Sequence, residues 1–150
     1  MNKKILIMGL PGSGKTTLAK LLAHRLNAVH FNADEVRANI NRDLGFSVPD
    51  REEHARRMGW LCDQVVSAGH YAVADFVCPT KATRAAFGAA FIVHMNTIRE
   101  GRFADTNALF EAPGADEADC VINTQDAAEH VEYILTILSR MENPNLFEVD

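Results

Sequence analysis

Apolar residues follow two rhythms along this chain. Ile5-Leu6-Ile7-Met8 is a continuous apolar run, the pattern of a parallel strand covered on both faces. Beyond it the spacing changes, and Leu18, Leu21, Leu22 and Leu26 recur at steps of three and four, as on one face of a helix. A short second strand is predicted at 28–31, leading into the polar run Asn32-Ala33-Asp34-Glu35-Val36-Arg37. A turn over 44–49 precedes a long helix from about 50 to 67, which Gly69-His70 closes. Tyr71-Ala72-Val73-Ala74 reads as a buried strand finishing at Asp75, and 89–94 as a further strand. Residues 96–119 show no sustained periodicity. Cys120-Val121-Ile122 suits a last short strand, and Val131, Ile134, Leu135, Leu138 and Met141 mark one face of a final helix. Strands alternating with helices imply a doubly wound α/β architecture with a mainly parallel sheet. Without repeats or an internal linker, 1–143 reads as a single domain and 144–150 as a loosely held tail.

Composition narrows this picture only a little. The chain has 150 residues, enough to bury a core, with 47% apolar and 23% charged residues. A net charge of −5 argues against a nucleic-acid partner, which calls for a basic excess. Cys62, Cys78 and Cys120 lack metal-ligand or redox spacing and read as reduced thiols of a cytoplasmic protein. No apolar run is long enough to span a bilayer, so no membrane partner is expected. Met1-Asn2-Lys3-Lys4 before an apolar run imitates a signal peptide. That run is too short and passes straight into glycines, so it is a first strand.

The glycines carry the strongest chemical signal. Gly9-Leu10-Pro11-Gly12-Ser13-Gly14-Lys15-Thr16-Thr17 follows an apolar strand and opens an amphipathic helix, the context of the Walker A pattern. Gly9, Gly12, Ser13 and Gly14 allow backbone N–H groups to surround a phosphate, and the helix adds its positive end. Lys15 is expected at the β- and γ-phosphates of ATP, the Thr16 hydroxyl at Mg²⁺, and Thr17 beside them. The fold expected is therefore a P-loop NTPase, a three-layer α/β/α sandwich. Guanine-reading and switch motifs are missing, and the small size favours a small-molecule kinase.

The acceptor side is less determined. In an open α/β sheet, ligands bind beyond the carboxyl ends of the strands. Asp34, just past the second strand, is either a carboxylate for the attacking hydroxyl or for Mg²⁺, or a helix N-cap, for which Asn32 also qualifies. Asp75 either reaches the metal shell or caps a turn. The stripe Met58, Leu61, Cys62, Val65, extended backward, places His54 and Arg51 on the buried side and Arg56 opposite, with Arg57 at the flank. An inward Arg51 suits an anionic ligand, or else pairs with Asp50 or Glu53. Phe46 either stacks on a base or plugs the core. Arg37 either binds an anion or pairs with Asp34.

Taken together, five blocks resemble the adenylylsulfate kinase family, which phosphorylates the 3′-hydroxyl of adenylyl sulfate with MgATP. They are the glycine segment 9–17, Asn32-Ala-Asp-Glu-Val-Arg37, Asp43-Leu-Gly-Phe-Ser47, residues 50–59, and Phe76-Val-Cys-Pro79 with Arg84. The resemblance covers about 3–94, and Phe110-Glu-Ala-Pro113 adds a fragment. It implies that Asp34 is the catalytic carboxylate beside Lys15, and that Arg37 and Arg51 contact the anionic part of the acceptor. It further implies that Phe46 stacks on adenine, that Cys78 and Pro79 line the acceptor pocket, and that homodimers form. The chain departs from the family at Asn32, usually Asp, at His54, usually Asn, and in Val77-Cys78-Pro79-Thr80, which replaces a serine-containing segment. The family's basic lid is cut down to Arg99-Glu100-Gly101-Arg102-Phe103. The expectation is an ATP- and Mg²⁺-dependent kinase acting on a small, anionic, nucleotide-like acceptor, with adenylyl sulfate first. A relative using another hydroxyl acceptor, a non-catalytic ATP-binding module and an ATPase are the alternatives.

Overall fold

A computed structural model describes residues 3–143; the tail expected over 144–150 lies outside them. Five strands, β1 (Lys4–Met8), β2 (Val29–Asn32), β3 (Ala72–Phe76), β4 (Phe91–Met95) and β5 (Cys120–Ile122), form one sheet in the order β2-β3-β1-β4-β5. Every pairing is parallel, so the sheet is wholly rather than mainly parallel. Among the described residues six helices connect and follow the strands: α1 (Lys15–Leu26), α2 (Ala33–Asn39), α3 (Val48–Ser67), α4 (Lys81–Phe87), α5 (Ala104–Leu109) and α6 (Ala127–Glu142).

Strand alternation divides the apolar residues between two faces. Ile5 and Ile7 of β1 face Leu18 and Leu22 of α1 and Val131, Ile134 and Leu138 of α6. Leu6 and Met8 face Ala55, Met58 and Cys62 of α3 and Phe87 of α4. The result is the expected α/β/α sandwich. The long helix begins at Val48 rather than near residue 50, because the Ser47 side chain caps it by accepting the Asp50 N–H and Pro49 sits in its first turn. Two short helices, α4 and α5, were not legible in the sequence.

Neighbouring strands end together. Met8 lies opposite Phe76, Ile7 opposite Asp75, and Asn32 opposite Asp75. Strands β2 and β3 lie on one side of β1 and β4 and β5 on the other, and the glycine loop emerges from the end of β1 at that switch point.

Candidate active site

The glycine loop is folded as an anion cradle. Gly12 and Gly14 hold φ at 88° and 99°, left-handed values that a side chain resists. A Cβ on Gly9 would lie 2.7 Å from the Met95 carbonyl oxygen, so the loop can sit against β4 only with glycine there. Side chains of Asn32, Ser47, Thr80 and Asp126 cap α2, α3, α4 and α6. The start of α1 has no side-chain cap and no acidic residue in its first turn. Its amide N–H groups and positive dipole end are left for an anion. Lys15 is buried and, among the described residues, donates only to the neutral Leu10 carbonyl, 2.9 Å away. Burial pushes its ammonium down from 10.5 to about 8, against the pull of Asp75 and Asp34 and with a push from Arg102. A buried cation with no carboxylate in ion-pair contact among the described residues, beside an uncapped helix, fits a polyphosphate.

Behind the cradle, Asp75 gathers three polar side chains. Its Oδ1 accepts from the Thr16 hydroxyl at 2.9 Å and from Asn32 Nδ2 at 3.1 Å, while Oδ2 meets His30 Nε2. Asp75 is thus no turn cap. Asn32 performs two tasks, since its Oδ1 also accepts the Glu35 N–H and caps α2. The N-cap is therefore Asn32. Asp34 is the second residue of α2, exposed on the cavity wall, and makes no hydrogen bond among the described residues. Among those residues no cluster of three His, Cys, Asp or Glu could hold a metal unaided. Thr16, Asp75 and Asp34 are hard oxygen donors on one cavity, which fits Mg²⁺, an ion that takes one or two protein ligands and completes its shell with phosphate and water.

That cavity has a volume of about 400 Å³ and runs from the cradle to the loop preceding α3. Gly12, Gly14, Lys15, Thr16 and Thr17 line it at the cradle, Arg37, Phe46, Arg51 and His54 line it beside the long helix, and Asp34, Asp75, Cys78 and Pro79 also face it. Gly9 and Ser13 are not in the lining; Ser13 is fully buried behind the loop. Phe46 is 64% exposed, so it does not plug the core. Two arginines hold it in place. Arg37 stacks 4.4 Å from the ring centroid and donates to the Gly45 carbonyl, and Arg51 donates to the Phe46 carbonyl at 2.8 Å. Arg37 thus does not pair with Asp34. Arg51 finds its carboxylate in Asp105 of α5, 3.5 Å away, rather than in Asp50 or Glu53. Arg56 ion-pairs with Glu53 on the exposed face.

Cys78 takes a φ of 45° and is buried, and burial pushes its thiol up to about 12, so it shapes the wall and is no nucleophile. Its carbonyl accepts from buried Arg84, 2.9 Å away. His30, Thr106, Asn41 and a role for Arg57 do not stand out in the sequence. His30 was discoverable, because position 30 of a strand shares its face with position 32. The others depend on contacts between elements. Arg102 and Phe103, from the short basic segment, also line the cavity.

An anion cradle, a buried strand-end carboxylate beside the Thr16 hydroxyl and a second subsite on the same cavity define a P-loop kinase. The adenylylsulphate kinase family model matches residues 1–101, and the chain belongs to that family; it is an ATP-dependent phosphotransferase. An adenylyl-sulfate kinase of Shewanella denitrificans is 32% identical over 164 residues, covering 89% of this chain and 80% of the relative. Among solved structures, an APS kinase of Mycobacterium tuberculosis in complex with AMPPNP and APS superposes with a TM-score of 0.79 at 23% identity, covering 92% of this chain and 98% of that one. A sugar kinase from Janibacter reaches 0.72, also at 23%, over 93% and 95% of the two chains. Likeness at that level shows the fold, which kinases of different acceptors share.

Proposed function

We propose that the chain transfers the γ-phosphoryl group of ATP to the 3′-hydroxyl of adenylyl sulfate. The observation that carries this reading is one cavity joining the phosphate cradle to an arginine-held exposed ring, with Asp34 on its wall, near enough for its charge to act on both Lys15 and Arg37. Lys15 and the α1 amide groups bind the β- and γ-phosphates. Arg37 and Arg51 face the anionic part of the acceptor, and the exposed Phe46 ring stacks on the adenine. Cys78 and Pro79 close the pocket wall. Asp34 orients the hydroxyl and accepts its proton as the new oxygen–phosphorus bond forms and the β–γ bridging bond breaks, releasing ADP. Thr16, Asp75 and Asp34 would hold Mg²⁺, which when bound neutralises charge on the phosphates.

The test is ADP formation from MgATP with and without adenylyl sulfate. Turnover that depends on adenylyl sulfate and yields its 3′-phosphorylated product is expected. ADP release indifferent to it, or none with it, overturns the proposal.

A further inference from the structure

His54 is 2% exposed, lies in the cavity wall and has one ring nitrogen committed. Its Nδ1 is 2.9 Å from Asn41 Nδ2. The other face of the Asn41 amide fixes who donates. Asn41 Oδ1 accepts from Arg57 Nη1 at 3.2 Å, and a guanidinium can only donate. Turning the amide over would set NH₂ against the guanidinium, so Nδ2 must face His54 and Nδ1 must carry the lone pair. Arg57 cannot rotate away, because Asp43 holds it through two bonds of 2.8 and 2.9 Å and Glu53 through a third of 2.8 Å.

Burial, with Arg37 and Arg57 nearby, pushes the imidazole down to about 4, so at neutral pH it carries a single proton. With Nδ1 occupied as an acceptor, that proton sits on Nε2. Nε2 is buried and has no hydrogen-bond partner among the described residues. A buried N–H without an acceptor is unfavourable, and it belongs to a ring of the cavity that also holds Arg37, Phe46 and Arg51.

We propose that the Arg57–Asn41 relay locks His54 as the Nε2–H tautomer, and that this N–H donates to a hydrogen-bond-accepting atom of the acceptor substrate. His54 is then a specificity-determining contact, while Asn41 and Arg57 are positioning residues that act through it. The site selects a substrate presenting a lone pair at this point and disfavours one presenting an N–H or O–H donor. The inference rests on the proposed function for its choice of probe, adenylyl sulfate.

Two measurements test it. Imidazole ¹⁵N NMR of the whole chain should show His54 with a pyridine-like Nδ1 and a pyrrole-like Nε2, the latter shifting when adenylyl sulfate and ADP are added. A protonated Nδ1, or an Nε2 indifferent to adenylyl sulfate, overturns the proposal. In steady-state assays His54→Phe, which keeps a ring, should raise the adenylyl sulfate KM about tenfold or more, with the ATP KM unchanged. His54→Gln, which restores a donor, should recover part of the loss. Asn41→Asp presents an acceptor to Nδ1 and should invert the NMR pattern and raise the adenylyl sulfate KM. KM values unmoved in His54→Phe and Asn41→Asp overturn the proposal even if the tautomer is as stated. A wild-type chain inert toward adenylyl sulfate overturns the proposed function and the donation to that molecule; the spectrum then decides the tautomer independently.

Discussion

Lys15 shows how binding and protonation are linked. Without a ligand its ammonium titrates near 8 instead of 10.5, because burial outweighs the two carboxylates. Phosphate oxygens favour the charged form and must raise that value. Nucleotide binding should therefore take up about one proton per site at pH 9, where the free lysine is mostly neutral, and almost none at pH 7. Affinity should accordingly fall as pH climbs above 8. Calorimetric titration of ADP in buffers of differing ionisation enthalpy measures the uptake, and Lys15→Met should abolish it along with turnover. Asp34 permits an equally sharp separation. As an exposed acidic residue in the first turn of α2, it gives the helix about 0.3–1 kcal/mol through the dipole. A catalytic carboxylate contributes far more to rate. Asp34→Asn should lower kcat about 10²–10⁴-fold, leave the ATP KM close to its original value, and shift the urea midpoint only slightly.

Within the elements, close approach decides more than propensity. Gly59 sits inside α3, where glycine weakens a helix, yet α4 requires it. A Cβ there would lie 2.8 Å from the Phe87 carbonyl carbon and closer still to its oxygen. Gly59→Ala should cost about 2–3 kcal/mol, since the obstacle is backbone and cannot rotate aside. Gly69 makes the useful contrast: its φ is 91° with nothing within 4 Å of a Cβ, so Gly69→Ala should cost only about 1–2 kcal/mol of backbone strain. Urea unfolding of the two variants ranks them. The same distinction explains what could be read from the sequence. The stripe of α3 is long enough to show its period, and it correctly put His54 and Arg51 inward and Arg56 outward. Helices α4 and α5 have seven and six residues, less than two full turns, and leave no period to detect. What fixes α4 is local, a capping box in which Thr80 and Thr83 satisfy each other's backbone N–H groups. Phe46, Arg37 and Asp34 kept two readings each because an exposed ring and a core plug look alike in one dimension.

For the whole molecule, the family model ends at residue 101, whereas α5, β5 and α6 come from the chain beyond it. Arg84 is one of the ties between those parts, and it is 5% exposed. Its Nη1 donates to the Cys78 carbonyl and its Nη2 to the Glu111 carbonyl, both at 2.9 Å, and its Nε pairs with Glu117. One guanidinium thus joins the loop after β3, which lines the cavity, to the segment leading into β5. Arg84→Met would keep much of the apolar stem but strand two carbonyls and a partly buried carboxylate. Breaking such an arrangement costs about 3–5 kcal/mol, toward the lower end here because Glu117 retains some water. Arg84→Lys should recover only part of this, since an ammonium is a point charge and cannot span three acceptors in a plane. The strain at Cys78, with φ at 45°, is held in place by the same hydrogen bond. Losing the tie should release that loop and raise the adenylyl sulfate KM in both variants. The ATP KM should stay nearly unchanged, because the glycine loop is anchored separately on β4. Urea unfolding and steady-state kinetics on the same preparations check the two effects, and an ATP KM that rose with the other would show that the two halves of the cavity are not independently supported.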